Sequence, residues 1–203
     1  LELHRPNEAI DVYQRALDLE PDSSIVNGNL GYALKDCGKF GEAIQHLRRA
    51  IELNPNNDQA HSNLLFCLAH DPETSPKELF EEHLQFARQF EAPHVANWPK
   101  HENIPDSNRC LEIGFISGDF NSHPVATFFE SVLEHLAKSK NLILHAYYNY
   151  SVEDQVTQRL RKYFDHWHAI AGMPDTDLAK KIAQDKIDIL IDLSGHTGLN
   201  RLP

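Results

Sequence analysis

The chain has 203 residues, of which 41% are hydrophobic and 24% charged, a globular balance rather than a disordered one. Lys and Arg total 19 against 30 Asp and Glu, a formal charge of -11, which argues against a nucleic-acid binder. The longest apolar runs, such as Ile187 to Leu193, fall far short of the roughly 20 residues of a membrane-spanning helix, and no signal-peptide pattern opens the chain. Cys37, Cys67 and Cys110 have neither disulfide-framework nor zinc-ligand spacing, so the expected setting is a reducing cytoplasm.

The first seventy residues repeat. At an offset of 34, Glu8-Ala9-Ile10 meets Glu42-Ala43-Ile44, Arg15-Ala16 meets Arg49-Ala50, Leu19 and Pro21 meet Leu53 and Pro55, and Asn29-Leu30 meets Asn63-Leu64. That period, with small residues at fixed helical offsets and a closing proline, is the helix–turn–helix signature of tetratricopeptide repeats. Gly31 and Ala43 let paired helices approach closely, Gly38 suits a helix C-terminus, and Pro55 ends the second helix of the complete unit. Leu1 falls partway through a unit.

A third first-helix is expected from about Asp58 to Ala69, but Leu65 replaces the glycine and Lys77 the next alanine. Ser75-Pro76-Lys77-Glu78 then opens a helix with a capping serine, and Leu79, Phe80, Leu84, Phe86, Ala87 and Phe90 give it an apolar stripe suited to closing the array. The expected organisation is repeats over 1–72, a capping helix over 73–92, an extended Pro-rich linker over 93–109, and a second domain over 110–203.

In that domain the hydrophobic period changes. Leu111 to Ser117, Leu142 to Tyr148, His166 to Ala171 and Ile187 to Leu193 read as strands. They alternate with helices over Ser122 to Lys138 (stripe Phe128, Val132, Leu133 and Leu136), Glu153 to Phe164 and Asp175 to Gln184. The alternation predicts an α/β, Rossmann-like parallel sheet covered on both faces.

Ligands of such sheets bind beyond the carboxyl ends of the strands. Two polar loops fall there, Ser117 to Pro124 and Ser194 to Arg201, which puts His123 and His196 at one edge although 73 positions separate them. Neither loop has the G-x-G-x-x-G pattern of a dinucleotide site. Pro124 suits a first helical position, so His123 caps a helix whose positive end favours a neutral ring and a nearby phosphate. Asp119 and Asp192 each precede a histidine by four residues, a spacing compatible with metal ligation or, for Asp192, with an orienting role at a buried strand end. Phe128, Phe129, Tyr147 and Tyr148 read as core. Arg201 suits either a phosphate contact or solvent.

The segments GFISGDFNSHPVATFFESVLEHL, DQVTQRLRKYFDHWHAI and DKIDILIDLSGHTGLNRLP, preceded by the repeats, resemble the protein O-GlcNAc transferase family with its SPINDLY-like members, over essentially the whole chain. The resemblance implies the N-terminal lobe of a two-lobed GT-B glycosyltransferase, whose repeats guide protein substrates. It implies transfer of N-acetylglucosamine from UDP-GlcNAc to Ser or Thr of intracellular proteins with no metal or other cofactor. Plant SPINDLY-like relatives use GDP-fucose, which leaves the donor open between the two.

Carried over from the family, His123 and His196 are the catalytic histidines. Asp119, Pro124, Gly195, Thr197 and Arg201 border the substrates, and Asn29 and Asn63 line the inner face of the repeats, where they bond an extended peptide. Expected partners are protein substrates and the nucleotide-sugar donor, with no nucleic acid and no membrane. The expected compartment is the cytoplasm, with the nucleus as an alternative in a eukaryote. The chain stops at Pro203 without the family's second lobe, so the expectation is that it does not turn over substrate alone. The other readings are a non-catalytic interaction module and a metal-dependent hydrolase built on the two Asp-x-x-x-His pairs.

Overall fold

A computed structural model of the chain describes residues 6–98, 100–106, 108–197 and 199–201. Leu1, Gly198, Leu202 and Pro203, on which parts of the sequence reading fall, lie outside them. The chain divides into two units between Asn97 and Trp98.

In the first unit, α1 (Pro6–Leu19), α2 (Ser24–Asp36), α3 (Phe40–Leu53), α4 (Asp58–His70) and α5 (Pro76–Phe86) each pack against the next. Their core holds Leu30, Leu34, Ala43, Leu47, Ala50, Leu64 and Leu68. The close approach expected at Gly31 is present: a Cβ there would lie 2.6 Å from Leu47 Cγ and 3.3 Å from the Ala43 carbonyl oxygen. The 34-residue period also extends to the turns. Asn27 Nδ2 donates to the Pro21 carbonyl at 3.1 Å, and His61 Nε2 bonds the Pro55 carbonyl at 3.0 Å. Each repeat's closing carbonyl is thus held by the sixth residue after it.

Two expectations here need correction. In α5, Ser75 caps the helix as read, accepting from the Glu78 N–H at 3.2 Å, but the apolar stripe divides. Phe86 is buried and Leu79 packs against the core, while Phe80 and Leu84 are exposed. Arg48 on α3 instead holds the helix through Glu82 (2.7 Å) and Glu78 (3.2 Å). The extended linker is also shorter than expected. A π turn over Ala87–Glu91 runs into a 3-10 helix over Ala92–Asn97, because the fixed φ of Pro93 is compatible with a first helical turn.

The second unit follows the expected alternation: β1 (Leu111–Ser117), α6 (Pro124–Leu136), β2 (Leu142–Tyr148), α7 (Gln155–Leu160) with a 3-10 turn at Arg161–Tyr163, β3 (His166–Ala169), α8 (Asp175–Gln184) and β4 (Ile189–Asp192). All pairings are parallel, in the order β3-β2-β1-β4. Phe115, Phe129, Leu133, Leu144, Tyr148 and Leu160 form the core under α6 and α7, and Ile116, Tyr147, Ile170 and Leu178 the core under α8. Gly114 makes room for the Tyr147 ring, since a Cβ there would meet Tyr147 Cε2 at 3.1 Å.

The buried face of α6 is Ala126, Phe129 and Leu133, whereas Phe128 and Val132, assigned to the stripe, are exposed. The run VATFF holds more apolar residues than one helix face accommodates, so periodicity alone did not select the buried set. β4 is shorter than expected and exposes Ile189 and Leu190, having a strand on only one side.

Asp188, just before β4, fastens this unit. It accepts from Arg109 Nη1 (2.6 Å) and Nη2 (2.5 Å), Asn103 Nδ2 (2.5 Å) and the Glu112 N–H (2.9 Å). The Arg109 guanidinium holds its carboxyl well below the usual carboxylate range against the cost of burial. An unfolded aspartate titrates near ~3.9, above the folded group, so this contribution is complete above about pH 5 and drains as pH falls toward the folded value. Asp188→Asn is expected to cost roughly 2 kcal/mol at pH 7 and to flatten the loss of stability below about pH 4, checked by urea denaturation across pH.

Candidate active site at the strand-order reversal

Strands β1, β2 and β3 step outward on one side of β1, and β4 returns to its other side. α6, leaving β1, packs on one face of the sheet, and α8, leading into β4, packs on the other. The chain ends of β1 and β4 therefore part around a crevice, the place where open parallel sheets take their ligands. The loops carrying His123 and His196 are the two that flank it.

These loops are bonded to each other. Ser117 Oγ and Ser194 Oγ, at the roots of the two loops, lie 3.4 Å apart and buried. Asn149, at the end of β2, donates its N–H to the Ser117 carbonyl at 2.9 Å and its Nδ2 to the Leu199 carbonyl at 2.9 Å. Gly118 lets Leu199 pack directly on the first loop, since a Cβ at Gly118 would sit 2.9 Å from Leu199 Cβ. Leu199 itself takes a left-handed φ of +62°, uncommon for a side chain of its kind.

His123 caps α6, as its position before Pro124 implies. Its Nδ1 accepts from the Val125 N–H at 3.3 Å. A neutral ring making that bond carries its proton on Nε2, so the free nitrogen is a donor. Asp119 Oδ2 lies 3.8 Å from Nδ1. Burial pushes the Asp119 carboxyl up, and the Asp192 charge adds to the shift, while His123 opposes it. The ring opens on a cleft of about 420 Å³ lined by Asn121, Ser122, Pro124, Thr127, Phe128 and Arg159. Phe128, read as core, is 78% exposed beside it.

Asp154 places this loop. It caps α7 through the Thr157 N–H (2.8 Å), and its second oxygen accepts the Ser122 N–H at 2.7 Å. Neither Asp154 nor Asn149 stood out in the sequence, although the spacing of Asp154 and Thr157 is a capping signature.

In the second loop, Gly195 adopts a φ of +54° and gives its N–H to Asp192 at 2.5 Å, which holds the start of the turn. Thr197 Oγ1 donates to the Ser194 carbonyl at 2.7 Å, and His196 is half-buried in the same turn. Arg201 is not left to solvent: its side chain is 13% exposed, and its Nε is buried with no hydrogen-bond partner among the described residues. The guanidinium pairs with Asp175 at 2.5 Å and donates to the Met173 carbonyl (2.7 Å) and to Asn149 Oδ1 (3.3 Å). Those acceptors cluster at the start of α8 and the end of β2, where the side chain reaches them across the loop.

In the other unit Asn29 is exposed on α2, but Asn63 is 3% exposed. It falls in an unbroken buried run from Ala60 to Leu65, so α4 has no open face at that position for a peptide.

A doubly wound parallel sheet with polar loops at its order reversal, joined to tetratricopeptide repeats, defines an α/β unit with a helical repeat array. Tetratricopeptide-repeat models match residues 12–45 and 31–64, and the glycosyl transferase family 41 model matches residues 53–201. The chain belongs to glycosyl transferase family 41.

It is 33% identical over 149 residues to a probable UDP-N-acetylglucosamine–peptide N-acetylglucosaminyltransferase SPINDLY of Arabidopsis thaliana, covering 70% of this chain and 16% of the relative. The corresponding SEC protein of that plant is 35% identical over 89 residues, covering 43% and 9%. An O-GlcNAc transferase mutant (K341M) from Thermobaculum terrenum has a similar structure, with a TM-score of 0.88 at 33% identity over 99% of this chain and 38% of that one. The chain thus spans about a sixth of the length of the curated SPINDLY relative. Among the described residues no helix is long and apolar enough to cross a membrane.

Asn149→Ala is expected to cost about 1 to 3 kcal/mol, because it frees the Leu199 carbonyl and one Arg201 contact together. Faster amide hydrogen exchange across residues 193–201, with β1 and β2 still protected, is the expected signature.

Proposed function

We propose that this chain is the repeat-bearing, acceptor-side part of a protein O-GlcNAc transferase, in a GT-B arrangement completed by a second lobe. Its reaction is transfer of N-acetylglucosamine from UDP-GlcNAc to Ser or Thr hydroxyls of cytoplasmic proteins. The observation that carries the proposal is the bonded pair of histidine loops at the strand-order reversal. A sugar donor in that crevice meets the N-terminal end of α6, whose positive dipole end favours an anionic diphosphate.

His123 has a definite chemical role in this reading. With Nδ1 engaged by Val125, its Nε2–H donates to an oxygen of the donor or of the acceptor. It becomes a base only by moving that proton and giving up the cap. Asp119, its carboxyl raised by burial, balances charge beside the ring. The exposed Phe128 and the cleft wall hold the approach to the site. Asn29 on α2 contributes to peptide contact along the repeats, where Asn63 does not. Transfer needs no metal in this reading, so omitting Mg2+ and Mn2+ leaves the rate unchanged.

In the full-length protein, His123→Ala or His196→Ala is expected to lower transfer at least about 100-fold while leaving acceptor-peptide affinity unchanged. A mass-shift assay run in parallel with UDP-GlcNAc and GDP-fucose checks this. Retained transfer in both variants overturns the assignment, and a shift seen only with GDP-fucose replaces the donor. The 203-residue chain alone is expected to give no mass shift with either donor, because contacts from a second lobe are needed to hold the nucleotide.

A further inference from the structure

The α8 face of the sheet has an apolar half and a polar half. Near the carboxyl ends lie Ile116, Tyr147, Ile170 and Leu178. The same face carries Glu112 on β1, His145 at the middle of β2 and level with His166, and His168 on β3 level with Tyr147, with Asp185 at the end of α8. His145 is buried, Glu112, His168 and Asp185 are half-buried and His166 is exposed, and the shielded groups are organised around three atoms. His145 Nδ1 lies 3.3 Å from His168 Nε2, and His168 Nε2 lies 3.5 Å from Asp185 Oδ2. All three ligand atoms fall within 4.8 Å of one another.

We propose that His145, His168 and Asp185 bind one zinc ion, which clasps β2, β3 and the end of α8 together. Two bonds of about 2.05 Å at a tetrahedral angle place their donor atoms roughly 3.3 Å apart, so two edges of the coordination shell already have the right length. The outer contacts favour the same use. Glu112 Oε2 accepts from His145 Nε2–H at 2.7 Å, which leaves the Nδ1 lone pair facing the centre, the carboxylate–histidine–metal arrangement. Tyr147 OH donates to Asp185 Oδ2 at 2.7 Å and fixes the carboxylate.

Lys181, 3.1 Å from Asp185, is the group that zinc displaces from the carboxylate. The donor set of two imidazoles and one carboxylate suits zinc better than the hard ions Mg2+ and Ca2+. The centre lies on the α8 face between the middle of β2, β3 and the C-cap of α8, whereas the histidine loops follow β1 and β4, so the proposal stands apart from the transferase reading.

The test uses the full-length protein stripped with a chelator and titrated with Co2+ and then Zn2+. The expected results are one saturable equivalent, tetrahedral Co2+ absorption bands that Zn2+ abolishes, and a Tm raised by Zn2+. His168→Gln and Asp185→Asn should remove all three signals, Glu112→Gln should weaken affinity about 10- to 100-fold, and the surface variant His135→Gln should change nothing. Absence of a saturable equivalent, or one that survives in His168→Gln and Asp185→Asn, overturns the proposal and leaves the imidazoles sharing a proton. If a variant fails to fold, anomalous scattering at the zinc edge from crystals of the wild-type protein decides by showing, or failing to show, zinc between the three atoms.

Discussion

One constraint organises the α/β unit: β4 pairs with β1 on the side opposite β2. A parallel sheet that grows in one direction sends all its crossovers over one face. Reversing the order sends α6 and α8 to opposite faces, and a crevice opens between the strands where they part. Every local feature of the site serves that opening. The Ser117 and Ser194 hydroxyls meet beneath it, and Asn149 bonds both loops beside it. Asp154 draws the first loop toward α7.

The repeats illustrate how sequence and packing correspond when one period governs both. The apolar identities 34 residues apart, Ala9 and Ala43, Ile10 and Ile44, Leu30 and Leu64, lie in or against the helical core, whereas the polar ones such as Glu8 and Glu42 are exposed. The Gly31–Leu47 contact, outside the identities, is close enough to reject a Cβ. The same period hides a chemical substitution, since Asn27 and His61 are different residues doing one job at the Pro21 and Pro55 carbonyls. Identity matching passes over that pair. Hydrogen-bond accounting finds it, because a carbonyl released at a helix end must be satisfied by something.

Much of the α/β unit was legible in the sequence. β1 and β2 have the bounds that their apolar runs indicate, because a central strand buried on both faces shows continuous hydrophobicity. α8 is likewise bounded as read, from Asp175 to Gln184. α6 was less legible: its run of apolar residues fits several faces, and tertiary contact selected Ala126, Phe129 and Leu133. The histidine loops were legible from their position after strands. Asn149 and Asp154 were not, because each works through partners 32 to 50 positions away. The contacts of Arg201 with Asp175, the Met173 carbonyl and Asn149 were not legible either, because they reach across the fold.

Leu199 holds a backbone shape that its own chemistry disfavours by about 1 to 2 kcal/mol. What keeps it there is borrowed: a side-chain amide from the second strand's end, and a neighbour too small to push it away. The rim segment is therefore tensioned like a sprung catch, stable only while its seat is intact, and its release needs less work than the number of its bonds suggests.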